Sequence, residues 1–208
     1  MTMPPLRSFA LRLVVIAALL LACSQWFSEP LVRPLLPLFA WTVEQADDHL
    51  AVQRVEIDAE KKGVYLSIET RLKRPLQLDA EHWLFPDTSP PASQGMLVGA
   101  VLQPLVVLLA IVLAWPARTR REALWRGLLS LPAAVALVLA DAPLGLAGAL
   151  LDFRQVAPAA PVSPLVHWND FLQSGGPLAM AICAAVLVVA LGERLGRAAQ
   201  ARPSPAAP

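Results

Sequence analysis

Four apolar runs, each long enough to cross a bilayer, constrain this chain more than any other feature. The first is Phe9 to Phe27, nineteen residues interrupted only by Arg12 near its start. The second is Gly95 to Trp115, twenty-one residues holding Gln103 and Pro104. The third extends from about Leu124 to Leu151, with Arg126 at its beginning and Asp141 well inside. The fourth, Gly175 to Gly192, carries no charge. A hydrocarbon core about 30 Å thick takes roughly 20 residues of helix to span. Lipid offers no partners to open backbone groups, so helices are the economical answer. The sequence therefore predicts an all-α membrane protein, a four-transmembrane-helix bundle. Composition agrees: 16% of residues are charged, against about a quarter in a soluble domain. A net charge of +1 gives no reason to expect nucleic acid as a partner. The expected partner is the lipid bilayer.

Orientation follows from basic residues in the short segments beside the runs. With the N-terminus inside, those segments hold Arg7 and Arg12, then Arg118, Arg120, Arg121 and Arg126, then Arg194, Arg197 and Arg202. Only Glu122 and Glu193 oppose them. The hinge 116–126 is flanked by Trp115 and Trp125, residues suited to headgroup level. Both termini are expected in the cytoplasm. The layout is then a first span over 1–27, an outer segment over 28–94, and three spans over 95–192 with an outer loop at 152–176. A cytoplasmic tail over 193–208 follows, rich in Pro and Ala after Arg202 and expected to be disordered.

The outer segment 28–94 is the one sizeable water-exposed part. Pro34 and Pro37 are expected to break the chain after the first span. Phe39, Val43, Ala46 and Leu50 then recur at helical spacing opposite Glu44, Asp47 and Asp48, which predicts a short amphipathic helix. Next, Val55, Ile57 and Ala59 alternate with charged residues, as do Val64, Leu66 and Ile68 beyond Lys61-Lys62-Gly63. Period two on both sides of a turn predicts a β-hairpin, to which residues 75–79 would add a third strand. So small a sheet is marginal alone. Its apolar face needs cover from the helix, the membrane or a partner. In the second outer loop Pro158, Pro161 and Pro164 oppose regular structure, before a short helix over "LVHWNDFL".

Few residues suggest chemistry. Asp141 lies some 22 Å along the helix from Arg126 at about 1.5 Å per residue. A carboxylate there should end up at the interface, in a helix-to-helix hydrogen bond, or in a ligand or proton role. Pro143 and Gly145 after it favour a helix that stops near Ala140. Gln103 and Pro104 read as a helix contact and a kink. Together Asp141 and Gln103 are the candidate intramembrane polar contacts. The Gly95–Gly99 pair has a weak GxxxG spacing. His49, His82 and His167 are scattered and make no ligand pair on one element, so no metal is expected. No phosphate-binding glycine loop, GxSxG or HExxH is present, and no cofactor is implied.

Leu20-Leu21-Ala22-Cys23 has the form of a lipobox. The apolar character continues through Trp26 and Phe27, longer than a signal h-region usually is. An uncut first span is therefore favoured over a lipoprotein. Cys23 and Cys183 both lie in apolar runs and read as small apolar side chains. Ala22-Cys23-Ser24 is similar to the cysteine motif of exosortases, but those enzymes have about twice as many spans, and matching downstream arginine and histidine motifs are missing.

The order of parts resembles a known family. A first span leads to a small strand-rich insert ending in "YLSIETRL", then to "GAVLQPLVVLLAIVLAWPARTRREALWRGLLSLPAAVALVLAD", two spans around an arginine hinge. Across roughly residues 7 to 195 this resembles the exosortase H-associated membrane proteins. That resemblance implies a multi-pass protein of the bacterial inner membrane with a non-catalytic accessory role beside an exosortase-like enzyme. A small transporter or channel subunit using Asp141 and Gln103 is the second expectation, and a membrane-embedded cysteine enzyme the third.

Overall fold

The structure, a computed structural model, describes residues 6–60, 63–77, 83–87, 89–154 and 163–200. The expected turn at Lys61-Lys62, His82, the loop prolines Pro158 and Pro161, and the tail beyond 200 lie outside the described residues.

The chain is mostly helical. Helix α1 (Leu6–Val32) passes into a 3-10 turn (Arg33–Leu35) and then α2 (Leu36–Ala46). The α-helix is interrupted after Val32 as expected, by a 3-10 turn holding Pro34, although the chain continues helically into α2. Pro34 and Pro37 each fall in the first turn of a helical segment, where the missing N–H has no helical partner to lose. Strands β1 (Leu50–Glu60), β2 (Gly63–Leu72), β3 (Leu76–Gln77), β4 (Trp83–Leu84) and β5 (Ala92–Leu97) follow. Then come α3 (Val98–Ala114), α4 (Arg120–Arg154), α5 (Pro164–Gln173) and α6 (Gly176–Gln200). Among the described residues three helical stretches are long and apolar enough to cross a membrane: Arg7–Ala46, Arg120–Asp152 and Gly176–Ala198. This is consistent with a membrane protein. Helix α3 is apolar but has only 17 residues, about 25 Å of rise. It is shorter than the run that predicts it because Gly95 to Leu97 belong to β5.

The sheet is antiparallel in the order β1-β2-β5. The expected third strand at 75–79 does not join it. Leu76–Gln77 pairs with Trp83–Leu84 in a separate two-stranded ladder, and β5 takes the place beside β2. A register shift between Val52 and Arg54 explains a break in the alternation of β1. Leu50 and Val52 are followed by Val55, Ile57 and Ala59, one residue out of phase. The bulge at Gln53 absorbs that extra residue and returns the second set to the face of the first.

That face is covered within the chain. Leu66, Ile68 and Leu72 of β2 share one core with Phe39 and Val43 of α2, Val98 and Val101 of α3, and Val138, Leu150 and Leu151 of α4. Burying a large aliphatic side chain contributes about 1.5–3 kcal/mol against water, so this shared core holds the small sheet to the helix ends. A second apolar core fills the bundle between α3, α4 and α6, with Leu108, Val112, Leu137, Ala185 and Val188. Helix α1 packs mainly along α3 and leaves Leu11, Val15, Leu19 and Trp26 exposed.

Candidate functional site

Helix α4 carries the chemistry at both of its ends. With 35 residues it rises about 52 Å, well beyond a hydrocarbon core of about 30 Å. It does not stop near Ala140 as expected but continues through Asp141, Pro143 and Gly145 to Arg154. Two contacts with α5 hold that extension. Trp168 Nε1 donates to the Ala140 carbonyl at 2.8 Å, beside the turn that Pro143 deprives of a donor. Gly148 lets α5 come so close that an added Cβ would stand 2.3 Å from the Leu165 carbonyl oxygen and 2.8 Å from Asn169 Cβ. Helix α5 itself starts at a Ser163 cap, whose hydroxyl accepts from the Leu165 N–H at 3.3 Å.

A cavity of about 240 Å³ opens between α4, α5 and β5 at this strand-bearing end. Asp141 and Asn169, both buried, line it together with Gln94 and Gln173, which are exposed. Small residues on α4, Gly145 and Ala149, leave the space, and Met96, Leu146 and Leu172 complete the wall. The Asp141 carboxylate and the Asn169 carboxamide make no hydrogen bond or ion pair among the described residues. Their polar atoms reach the cavity, since among the described residues the one fully buried side-chain nitrogen or oxygen without a partner is Arg126 Nε.

Gln103 is not part of this site. It is exposed on α3, while its neighbour Pro104 is buried. The Gly95–Gly99 spacing is not a helix contact either, since Gly95 lies in β5 and a Cβ at Gly99 would meet nothing within 4 Å.

The other end of α4, expected as a charged hinge, holds a different polar arrangement. The connection is shorter than 116–126, because α4 starts at Arg120. Thr119 caps it, its hydroxyl accepting from the Glu122 N–H at 3.1 Å. Glu122 reaches back to accept from the Arg118 N–H at 3.1 Å. This is close to the reciprocal capping box that Thr-x-x-Glu favours. Arg126, one turn on, is buried; it donates to the Trp115 carbonyl at 2.9 Å, pairs with Glu122, and lies 3.5 Å from Glu193 of α6. Its Nε has no hydrogen-bond partner. Two glycines admit the cluster. A Cβ at Gly192 would stand 2.5 Å from Arg126 Cγ, and one at Gly196 would stand 3.2 Å from Glu122 Cβ. "GERLG" is thus the GxxxG that brings helices together here.

Cys23 lines an apolar groove between α1 and α3 with Leu20, Phe27, Leu102 and Leu105, and no histidine or arginine lies in that wall. His49 is held locally by Asp47 at 3.0 Å, and His167 is exposed on α5. Among the described residues no group of three or more His, Cys, Asp and Glu stands together to hold a metal.

Compared with protein-family models, with curated proteins and with solved structures, the chain gives no match.

Proposed function

We propose that this chain is a non-catalytic accessory protein of the bacterial inner membrane, crossing it four times with both termini in the cytoplasm. It presents its strand layer to an envelope-assembly enzyme of exosortase type. The observation that carries the reading is the seat of that layer. Among the described residues strand β1, eleven residues long, pairs with β2 alone and is the edge of a sheet whose apolar face is fixed in the core of α2, α3 and α4. An open edge strand is a ready template for pairing with another chain. The order of parts and the "AWPARTRREALW" hinge support the narrower choice of partner by resemblance. The arginine-rich end supports the orientation.

Affinity capture from native membranes in mild detergent, followed by mass spectrometry, tests the proposal. A photo-crosslinker at exposed Arg54 of β1 is expected to trap a sortase-like membrane enzyme, and one at exposed Leu124 at the far end is not. Recovery of the chain alone would sink the accessory role. A transporter subunit is the second reading, favoured by the Asp141 cavity. In that case Asp141→Asn abolishes uptake while partner capture is lost or never seen.

A further inference from the structure

We infer that the cavity beside Asp141 is a binding site for a primary ammonium group carried on a short apolar stem. Among the described residues the lining has one carboxylate and no arginine, lysine or histidine, and a guest that complements it brings one positive charge. Three carboxamides share the lining with that carboxylate: Gln94 from β5, and Asn169 and Gln173, one turn apart on α5. Each offers a carbonyl acceptor beside its two N–H donors. A primary ammonium has three donors and no acceptor, which a carboxylate and turned carboxamide carbonyls can receive.

Other cations fit less well. Calcium takes six to eight oxygens, several of them carboxylate, and magnesium usually keeps much of its own water. A single carboxylate in a cavity of about 240 Å³ is too sparse and too large for either. A lone water or ion fills about 30 Å³, and drug-sized sites begin near roughly 300 Å³. The volume thus suits a molecule, or an end of one, with only a few heavy atoms. Quaternary ammonium groups are held by aromatic cages, and among the described residues no aromatic side chain lines this cavity. The apolar wall of Met96, Leu146 and Leu172 takes the stem. Two sources supply this chemistry: a phosphatidylethanolamine headgroup, or a free small amine.

The test uses the full chain in detergent, with thermal unfolding read against n-propylammonium chloride, tetramethylammonium chloride and propan-1-ol. Native mass spectrometry compares retained phosphatidylethanolamine with phosphatidylcholine. Propylammonium at about ten times its Kd is expected to raise Tm by about 3–6 °C, with no rise from the other two. Selective retention of phosphatidylethanolamine without a propylammonium effect would instead identify the lipid as the source. Asp141→Asn is nearly isosteric and is expected to abolish either effect while raising the unliganded Tm. Loss of folding produces no such opposed pair of changes. Gln173→Leu, at the exposed mouth, is expected to weaken binding about tenfold and decides the matter if Asp141→Asn does not fold. Equal response to all three solutes with equal retention of both lipids overturns the inference, as does a full response in Asp141→Asn.

Discussion

Glu122 and Asp141 are acids on the same helix, 19 residues apart in sequence, and their surroundings are opposites. Glu122 sits in a clasp: capped by Thr119, paired with Arg126, and pressed against Gly196. Asp141 sits in a hollow that Asn169 also lines, with no cation in its wall among the described residues. At one end Arg126 joins α4 to α6, paired with Glu122 of its own helix and 3.5 Å from Glu193 of α6. At the other, the acid lines a cavity and has no charged partner among the described residues. Burial alone does not separate them, since both residues are almost fully buried. What separates them is whether a partner is built in, and that distinguishes an acid that shapes the fold from one available to a guest.

The comparison is broken most forcefully at the clasp. Glu122→Ala leaves Arg126 buried without its main partner, and removing one member of a buried pair costs about 3–5 kcal/mol. Chemical unfolding in detergent micelles would read that loss; a cost below about 1 kcal/mol would mean the cluster is well solvated. Next come the glycines. Gly148→Ala and Gly192→Ala each force a Cβ into atoms 2.3 to 2.8 Å away and are expected to cost about 1–3 kcal/mol by overpacking. Gly99→Ala meets nothing within 4 Å and is expected to be neutral or stabilising, by up to about 1 kcal/mol from helix propensity. Trp168→Phe removes the bond to Ala140 and sharpens the picture of the hollow's roof, at about 0.5–1.5 kcal/mol. Asp141→Asn acts in the opposite direction to Glu122→Ala: it removes a charge that has no partner among the described residues and is expected to stabilise the protein by up to about 1 kcal/mol. Opposite signs for Glu122→Ala and Asp141→Asn in one unfolding assay would establish the contrast.

Much of the architecture was legible in the sequence because it is written locally. Run lengths announced the long helices, and period two around Lys61-Lys62-Gly63 announced the β1–β2 pairing. Misreadings arose where distant residues decide. "ADAPLG" looks like a helix end, yet α4 continues because Trp168 and the Leu165 carbonyl arrive from α5. Gln103 and Asp141 both looked like polar residues in apolar helices, but which face of α3 points inward depends on α4 and α6, which no local pattern reveals. Asn169 gave no signal, being one polar residue among several in a short amphipathic helix. Gly192 and Gly196 had the right spacing for close packing, but they lie where the apolar run ends and charges begin.

The length of α4 carries one more consequence. Its two ends are seated independently, against Gly192 and Gly196 below and against α5 above, and an α-helix turns about 100° per residue. The stretch from Gly127 to Ala140 therefore acts as a phase-setting rod. Substitutions along its exposed side, at Leu128, Leu131 or Val135, leave the phase alone. Deleting a single residue there swings Asp141 out of its hollow or pulls Arg126 off its acids, so this helix should accept changes of letter far more readily than changes of length.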